Sequence, residues 1–311
     1  MDRPTLDIVI VNWNSGRQLH ECLASFDSVS GDDISLVAVT VVDNGSSDRS
    51  ADGLSCVAPL KVIRNAENRG FAAACNQGAA GAETDFLLFL NPDARLMAGS
   101  LEGPTRYLQA GEHASVGIVG IQLLDAAGNI ARNTARAPTA WSMIGSSIGL
   151  DRLMPSVFPS HFVTEWPHDD TRTVDQVMGA FFFVRRSVFE ALGGFDERFF
   201  VYYEDMDFAA RARKLGWSSV YLSTARAFHR GQGTTDAATE RRMLYFARSR
   251  ILYARKHFGA FGALAVMLST LLLEPLARLI AAPRSAGATL RAFGMLWRDL
   301  PNIMRARDAR A

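Results

Sequence analysis

Three carboxylates stand where an aromatic run passes into a helical pattern, and they form the group best suited to acid–base chemistry. Glu204, Asp205 and Asp207 directly follow the aromatic-rich residues 199–203, and the apolar residues after them recur at helical spacing. Acids at a helix N-terminus often serve only as caps that complement the helix dipole. Aromatic walls, however, raise the pKa of a carboxylate toward the range that a general base needs. The segment therefore predicts a catalytic base, with capping as the alternative.

A second candidate site combines Asp93 with His229. The apolar stretch FLLFL leads into Asn91-Pro92-Asp93, where the proline ends a strand and fixes the backbone direction. A carboxylate held there can bind Mg²⁺ or Mn²⁺ between nucleotide phosphates, although aspartate is also common in turns. His229 precedes two glycines that would let a loop fold over a site. A single histidine is otherwise more often structural than a ligand.

Asp43 and Asn44 lie in the sequence VVDNGSSD, at the end of another apolar run. An acid at the end of a strand that leads into a helix can bond a ribose or the edge of a base. The same residue types also build a tight turn followed by a serine helix cap. Both interpretations stay open on the motif alone.

The first half of the chain alternates strand and helix patterns, which decides where these residues lie. Strands are predicted at 6–12, 36–42, 61–64 and 86–90, and helices at 17–26 and 70–81. Repeated strand–helix units imply a mostly parallel sheet with helices on both faces. Ligands of such sheets bind beyond the carboxyl ends of the strands. We therefore expect Asn12, Asp43 and Asp93 to meet in one crevice.

The second half is less regular. Strands are predicted at 116–124, 177–184 and 218–222, and helices at 101–110, 187–192, 204–215 and 239–257, with loops and short helices over 132–175 and a polar loop at 231–237. The loosely patterned stretch 132–175 is the part that we expect to face a variable ligand.

Composition limits the classes of protein that the chain can belong to. A 311-residue chain with 48% hydrophobic residues predicts a globular protein with a substantial core. The net charge of +1 gives no bias toward nucleic acid. Cys22, Cys56 and Cys75 lack the spacing of a metal or disulfide motif, which predicts free, buried thiols in a reducing compartment. The N-terminus enters a strand without a signal-peptide pattern, so we expect a cytoplasmic catalytic body.

Residues 258–282 are strongly apolar. The uncharged part ends at Glu274, Pro275 and Arg278 and is slightly shorter than the roughly 20 residues of a membrane span. We favour an interfacial or re-entrant helix over a full span or a soluble packing helix. Residues 278–311 carry seven arginines and two aspartates, a basic tail that suits an anionic membrane surface or a solvated helix face.

The chain lacks three common motifs of nucleotide and ester chemistry. It contains no GxGxxG, no GxxxxGK[ST] and no GxSxG sequence. Dinucleotide oxidoreductases, P-loop phosphoryl transferases and nucleophile-elbow hydrolases are disfavoured accordingly.

Taken in order, several segments resemble the family 2 glycosyltransferases of the GT-A fold, especially rhamnosyltransferase-like and galactofuranosyltransferase-like bacterial members. The resemblance covers about residues 6–258 and rests on IVIVNWN, VVDNGSSD, NAENRGFAAACNQG, FLLFLNPDA, GAFFFVRRSVFEALGGFDERFFVYYEDMDFAARARKLGW and FHRGQGT. It implies an α/β fold with a mostly parallel sheet flanked by helices. We expect a glycosyltransferase domain over 1–235, with a nucleotide-sugar half at about 1–95 and an acceptor half at about 96–235, followed by a helical, membrane-associating extension over 236–311.

The resemblance also implies roles for individual residues. Nucleotide-sugar binding falls to Val11, Asn12, Asp43, Arg69, Gly70, Asn76 and Asn91, and the acceptor side to Gly179, Ala180 and Phe181. Asp205 is the expected general base, and Glu204 beside it an acceptor-side or phosphate-side contact. Asp93 and His229 are the expected ligands of Mg²⁺ or Mn²⁺. Asn91 replaces the first acid of the family's Asp-x-Asp motif, which lowers the charge of the metal site. Asp207 is expected to be structural and to pair with Arg211 one helical turn on.

The implied activity is inverting transfer of a sugar, and the expected sugar is rhamnose from dTDP-rhamnose. The acceptor would be a hydroxyl of a glycan or a polyprenyl-diphosphate-linked saccharide in cell-surface polysaccharide synthesis. One displacement inverts the anomeric centre, so no enzyme nucleophile is needed. The expected partners are donor, acceptor and the inner face of the cell membrane, contacted through about 258–311, and no nucleic acid; self-association stays open.

Two other classes are weighed against this interpretation. A sugar-1-phosphate nucleotidyltransferase would need a glycine-rich basic loop after the first strand, where VNWNSGR stands. An inactive glycosyltransferase-like scaffold is suggested by Asn91 and opposed by the retained Asp93, Glu204, Asp205 and His229. The donor sugar, its nucleotide and the acceptor linkage are not determined by the sequence.

Overall fold

The computed structural model describes residues 3–29, 33–231 and 239–306. The strands are β1 (Thr5–Asn12), β2 (Ser35–Asp43), β3 (Leu60–Arg64), β4 (Phe86–Leu90), β5 (Ala94–Leu96), β6 (Val116–Leu124), β7 (Ile130–Ala131), β8 (Thr134–Ala135), β9 (Arg172–Val174), β10 (Gln176–Val177), β11 (Phe181–Arg185) and β12 (Ser218–His229). The helices are α1 (Gln18–Ala24), α2 (Phe71–Ala79), α3 (Glu102–Gln109), α4 (Ala140–Ser147), α5 (Leu150–Leu153), α6 (Arg186–Ala191), α7 (Glu204–Lys214), α8 (Thr239–His257), α9 (Ala260–Leu268), α10 (Glu274–Ala281) and α11 (Ala286–Arg305).

The central sheet has the strand order β3-β2-β1-β4-β11-β6-β12-β5, with β7 beside β6 and β9 beside β12. The pairs β1–β2, β2–β3, β1–β4 and β6–β12 are parallel. Strand β11 lies antiparallel between β4 and β6. The carboxyl ends of β1, β2 and β4 therefore share one sheet edge with the start of β11. The predicted mostly parallel α/β sheet is confirmed.

Helices cover both faces of the sheet because each buried strand sends alternate side chains to opposite sides. On β1, Leu6, Ile8 and Ile10 enter a core shared with α1 and α3. Val9 and Val11 enter a second core with residues of α2, α6 and α7. The alternation fixes the register of β1, because a slip of one residue would exchange the two sets.

Two strands differ from the sequence prediction, and both differences shape the site. The strand expected at 177–184 is interrupted at 178–180, where the Gly179 N–H bonds a side chain instead of the ladder. The strand expected to end at Leu222 continues to His229 through a register shift between Leu222 and Arg226. Small and polar residues at 223–226 gave this continuation the composition of a loop.

The C-terminal helices form a third core together with the segment that precedes α7 and the first turn of α7. Buried residues of α8, α9 and α11 pack there with Phe199, Tyr203 and Met206. A π-helical turn, Ser269–Leu273, joins α9 to α10. Pro275 at the start of α10 explains that turn, because proline has no N–H to donate and its ring is incompatible with an ordinary helical carbonyl four residues earlier. The expected boundary at 235/236 and the part of the polar loop from 232 onward lie outside the described residues.

Candidate active site

Asp43 lies at the shared edge of the sheet, where β1 and β2 end side by side. Asn12 pairs with Asp43 in the ladder, and its Nδ2 donates to Asp43 Oδ1 and to Ser50 Oγ, each over 2.9 Å. Its Oδ1 accepts from the Ser15 hydroxyl. Asn12 is fully buried, so its amide orients the Asp43 carboxylate and does not face the solvent.

Asn44 organises the neighbouring loop around Arg69 and Gly70. Its Oδ1 accepts from the Arg69 N–H over 3.0 Å, and its Nδ2 donates to the Gly70 carbonyl over 3.1 Å. Gly70 has a φ of 90°, and a Cβ there would lie 2.6 Å from the Phe200 carbonyl oxygen, so only glycine fits. The Arg69 side chain is exposed. From the sequence motif alone, Asn44 is expected to be a turn residue, and its hydrogen bonds to Arg69 and Gly70 are not predicted.

The structure gives Asn76 a role different from the expected nucleotide contact. Its Nδ2 donates to the Phe195 carbonyl over 2.8 Å and to Glu197 Oε1 over 3.0 Å, and its Oδ1 accepts from the Phe195 N–H. Both polar groups of the amide are thus used to pin the chain before α7 onto α2. Asn76 positions that segment.

Asp93 and His229 meet across the β5–β12 ladder, in which His229 pairs with Ala94. His229 Nε2 lies 3.3 Å from Asp93 Oδ1, and the two side chains are 18% and 7% exposed. A carboxylate oxygen and an imidazole nitrogen suit Mg²⁺ or Mn²⁺. Within 3–29, 33–231 and 239–306, no three His, Cys, Asp or Glu side chains cluster to hold a metal. The pair therefore fits a divalent ion only together with oxygens from a bound ligand.

Cys22 lies close to the strand end that carries Asp93. Its Sγ contacts the Asn91 carbonyl oxygen at 3.8 Å. Burial raises the pKa of the Cys22 thiol, and the charge of Asp93 adds to the shift. As predicted, the three cysteines are free, with Cys22 and Cys75 buried and Cys56 partly buried.

Asp205 lies in the first turn of α7, where backbone N–H groups bond both of its carboxylate oxygens. Oδ2 accepts from the Gly179 N–H over 3.0 Å, and Oδ1 accepts from the Met206 N–H over 2.8 Å. Burial raises the pKa of Asp205, although these N–H groups and Gln176 favour the charged form. Asp205 is only partly buried as a residue, so a substrate can approach a carboxylate more basic than usual.

Gln176 is a site residue that the sequence did not indicate. It is buried on β10, its side chain bonds Asp205, and its Oε1 has no hydrogen-bond partner in the described part of the chain. A glutamine in a short strand has no motif around it. Only its register opposite β8 places it under the carboxylate.

Two left-handed residues precede the acids. Tyr202 and Tyr203 have φ of 67° and 71°, a conformation that costs non-glycine residues of order 1–3 kcal/mol each and persists only when the surroundings enforce it. The Tyr203 carbonyl accepts the Asp207 N–H over 2.8 Å, which begins α7. This strained turn sets the direction in which Asp205 leaves the backbone.

Glu204, the residue before Asp205, is buried. It is 6% exposed, and its Oε2 has no hydrogen-bond partner among the described residues. Burial raises the pKa of Glu204 well above its usual value, and the charge of Asp205 adds to the shift. Burial raises the pKa of the Cys75 thiol on α2, and Glu204 adds to the shift.

Asp207 is structural, as predicted. It is fully buried, and its oxygens lie 2.7 Å from Arg211 Nε, Lys256 Nζ and His257 Nε2. Burial alone would raise the pKa of Asp207, but the bond from His257 and the nearby charges of Arg211 and Lys256 outweigh it and lower the pKa. The predicted pairing with Arg211 is confirmed, and the contacts with α8 add to it.

Two hydrogen bonds connect Asp205 to the strand end that carries Asp93. The Asn91 N–H donates to the Ala180 carbonyl over 3.0 Å, and the N–H of the preceding residue, Gly179, donates to the Asp205 carboxylate. Ala180 thus contributes its backbone, while the Phe181 side chain is fully buried in the core shared with α1 and α3. The acceptor-side position of Gly179, Ala180 and Phe181 stays a prediction, which Phe181 could meet only through its backbone.

The architecture agrees with solved sugar-transferring enzymes. A mannosyltransferase from Pyrobaculum calidifontis in complex with GDP-Man and Mn²⁺ superposes with a TM-score of 0.54 and 20% identity, covering 98% of this chain and 82% of that one. GalNAc-T7 with UDP, GalNAc and Mn²⁺ gives a TM-score of 0.55 and 16% identity, covering 90% of this chain and 58% of that one. The chain has the GT-A fold of glycosyltransferases.

Sequence comparison then gives the family. The model for "Glycosyl transferase family 2" matches residues 7–193, more than half of the chain. The protein belongs to this family and is a glycosyltransferase. An N-acetylglucosaminyl-diphospho-decaprenol L-rhamnosyltransferase of Mycobacterium tuberculosis is 28% identical over 288 residues, covering 83% of this chain and 87% of the relative.

Proposed function

We propose that the protein transfers rhamnose from dTDP-rhamnose, with inversion, to a polyprenyl-diphosphate-linked saccharide. The proposed chemistry rests on two hydrogen bonds that link Asp205 to the strand end bearing Asp93. Gly179 donates to Asp205, and Ala180, the next residue, accepts from Asn91. These bonds hold a partly exposed, basic carboxylate in fixed relation to the candidate metal ligands. The choice of sugar and acceptor is supported by the name of the mycobacterial relative.

The nucleotide end of the donor is assigned to the edge formed by β1 and β2. Asp43 offers its carboxylate to the ribose or base, held by Asn12, and Val11 contributes its backbone at the end of the same strand. Asn44 holds the backbone of Arg69 in place. The guanidinium of Arg69 is exposed and can bind the diphosphate of the donor. Gly70 keeps this loop close to Phe200. Asn91 faces the donor from the end of β4.

Asp93 and His229 would hold a divalent ion, Mg²⁺ or Mn²⁺. When bound, such an ion neutralises the negative charge that builds on a leaving nucleoside diphosphate. Both solved structures above contain Mn²⁺. Asn91 in place of an acid reduces the negative charge available to the ion, so the affinity should depend strongly on the bound donor.

Asp205 is the proposed general base. Its carboxylate takes the proton of the acceptor hydroxyl as that oxygen attacks the anomeric carbon from the face opposite the diphosphate. The bond to the diphosphate oxygen breaks in the same displacement, and the nucleoside diphosphate leaves with the bonding electrons. Glu204 is buried beside the base, and its pKa is raised by burial and by the charge of Asp205.

The C-terminal helices supply a surface for the membrane that would carry such an acceptor. Large apolar side chains are exposed along α9, the π-helical turn, α10 and α11: Phe261, Leu264, Leu268, Leu272, Leu273, Leu276, Ile280, Leu290 and Trp297. The helical stretch Ala260–Ala281 is long and apolar enough to cross a membrane. Its packing on α8 and the buried charge of Glu274 support an interfacial position at the inner face instead.

A transfer assay tests the proposal. Nucleotide sugars are first screened by thermal shift with Mn²⁺, where a true donor raises the melting temperature. The best donor is then incubated with decaprenyl-diphospho-N-acetylglucosamine, and nucleoside diphosphate release and the product's anomeric configuration are measured. We expect dTDP-rhamnose to be the donor and the product to be inverted.

The other outcomes discriminate the alternatives. A retained configuration, or another donor, would overturn the corresponding part of the proposal. Formation of a nucleotide sugar from a sugar-1-phosphate and a nucleoside triphosphate would identify a nucleotidyltransferase. Donor binding without transfer to any lipid-linked saccharide would favour the inactive scaffold.

A further inference from the structure

Three consecutive residues of helix α8 form hydrogen bonds to residues 198–203, the segment that precedes the proposed base. Arg248 Nη1 donates to the Arg198 carbonyl over 2.8 Å, and Ser249 Oγ donates to the Val201 carbonyl over 2.9 Å. The next residue, Arg250, bonds the hydroxyl of Tyr203. The segment that ends in the left-handed turn is therefore fixed by three consecutive residues of one helix.

Arg250 makes a second contact, with a residue of the apolar C-terminal stretch. Its Nη2 lies 2.9 Å from Glu274 Oε2, and the two side chains are 4% and 3% exposed. A buried guanidinium is tolerated only with a charged partner, and removing one partner leaves an uncompensated buried charge. Glu274 stands at the start of α10, directly after the π-helical turn, and Arg278 holds its other oxygen at 2.7 Å.

We propose that Arg250 is a positioning residue for Asp205, because it bonds Tyr203 and Glu274 together and so holds the left-handed turn from which α7 begins. The inference rests on the proposed role of Asp205 as the base. Tyr203 is the residue before Glu204, and its carbonyl accepts the first backbone bond of α7. If Tyr203 relaxes toward an ordinary φ, the first turn of α7 shifts and Asp205 with it.

The energetics favour such a role. A left-handed tyrosine is strained, and the aromatic contacts of Tyr203 with Phe246 and Tyr253, at centroid distances of 5.2 and 5.6 Å, orient its ring without fixing its backbone. The bond from Arg250 anchors the hydroxyl at the far end of that ring. A misplacement of a reacting group by about 1 Å can cost about 10²-fold in rate, so small relaxations at Tyr203 have large consequences at Asp205.

The first experiment measures turnover in two backgrounds. Arg250→Lys keeps the charge but lacks the fork that reaches both partners, and Arg106→Lys, at an exposed pair with Asp33, is the matched control. We expect kcat to fall at least about tenfold with the donor KM within about twofold, and the control to be unchanged. In an Asp205→Asn background the same Arg250 substitution should change kcat by less than about twofold, because it acts through the missing base.

An equal loss of kcat in both backgrounds would show general damage and overturn the inference, as would an unchanged kcat in the wild-type background. Glu274→Gln, which leaves Arg250 without its charged partner, should reproduce the selective loss. A normal kcat for Glu274→Gln would contradict the proposal that Arg250 needs its ion pair with Glu274 to hold Tyr203.

Amide hydrogen exchange gives a readout that does not need activity. In Arg250→Lys, the amides of residues 199–206 should exchange faster, while those of β1 and β4 keep the wild-type rate. Unchanged exchange at 199–206 overturns the inference whatever the enzyme transfers. If the wild-type protein transfers no sugar, the proposed function fails, and the exchange experiment still decides whether Arg250 holds the turn.

Discussion

His229 Nε2 lies 3.3 Å from Asp93 Oδ1, so a histidine near the end of β12 and an aspartate after β4 form one polar pair. The three-residue strand β5 creates this pair by binding the last residues of β12. Neither side chain has space to move far, since both are largely buried. Such a pair is suited to hold an ion only when a ligand brings further oxygens.

The metal pair predicts that donor binding and Mn²⁺ binding are linked. Asp93→Ala and His229→Ala should each weaken Mn²⁺-dependent donor binding about tenfold or more, whereas His20→Ala, at an exposed histidine on α1, should not. Asn91→Asp adds a carboxylate beside the pair and should tighten Mn²⁺ binding. Calorimetric titration of the donor with and without Mn²⁺ measures each effect; equal donor affinity in both conditions for the wild type would contradict the metal assignment.

Asp205→Asn should reduce turnover by about 10²-fold or more, the usual scale for loss of a general base. Donor binding should be retained, because asparagine keeps the shape and an oxygen for the Gly179 N–H. Steady-state kinetics and donor titration check the two statements. Asp169→Asn, at an exposed acid, is the control, and near-wild-type turnover in Asp205→Asn would remove the residue from the mechanism.

The rate should also depend on pH in a way set by Asp205. Burial raises the pKa of this carboxyl group, and only the deprotonated form accepts a proton. Turnover should therefore fall as the pH drops through this raised pKa, with the acid limb above the value of about 3.9 of an unperturbed aspartate. A pH profile of kcat with a constant rate down to about pH 4 would contradict this assignment.

The sheet and its edge were predictable from the sequence, because βα repeats and the acids that follow buried strands have strong local signals. Strands 86–90 and 116–124 and helix 239–257 have the predicted bounds. The contacts that complete the site have no such signal. Gln176 lies in a two-residue strand whose partner is β8, and both polar groups of Asn76 bond a segment more than a hundred residues away.

The environment of the C-terminal helices is also not predictable from the sequence, because their apolar pattern fits both burial in the protein and contact with a membrane. The structure uses one face of these helices for a core with Phe199, Tyr203 and Met206 and leaves another face exposed. Removing residues 259–311 would therefore disturb the turn before Asp205 as well as any membrane contact, and single substitutions on the exposed face are the cleaner test.

Asp207→Asn should destabilise the protein in a pH-dependent way. The wild-type carboxylate, whose pKa is lowered by His257, Arg211 and Lys256 against the effect of burial, stabilises the fold fully above the unfolded pKa of about 3.9. That contribution is lost as the pH falls through the lower folded pKa. We expect a cost of about 3 kcal/mol at pH 7 that shrinks below about pH 4.

Urea unfolding of both proteins at several pH values measures this difference. Glu190→Gln, which breaks the exposed pair with Arg186, should cost less than about 1 kcal/mol at any pH. A penalty for Asp207→Asn that stays constant as the pH falls would show that the charge of Asp207 is not what stabilises α7.

The exposed apolar face predicts binding to lipid. Phe261 and Ile280 are 90% and 83% exposed on α9 and α10, and transferring one such side chain from water to an apolar phase is favourable by about 1.5–3 kcal/mol. Phe261→Ser with Ile280→Ser should therefore weaken binding to vesicles containing anionic lipid by at least about tenfold. Leu215→Ser, at an apolar residue that is 57% exposed at the end of α7, is the matched control.

Vesicle sedimentation with purified proteins of equal melting temperature separates a lost contact from a damaged fold. If the double variant and Leu215→Ser bind vesicles like the wild type, α9 and α10 are not the lipid-binding face. If the basic arginines of α11 contribute, binding should also weaken with rising salt, because screening reduces the attraction of exposed arginines to anionic headgroups. If the protein binds anionic vesicles but not zwitterionic ones, the arginines contribute more to membrane binding than the apolar side chains do.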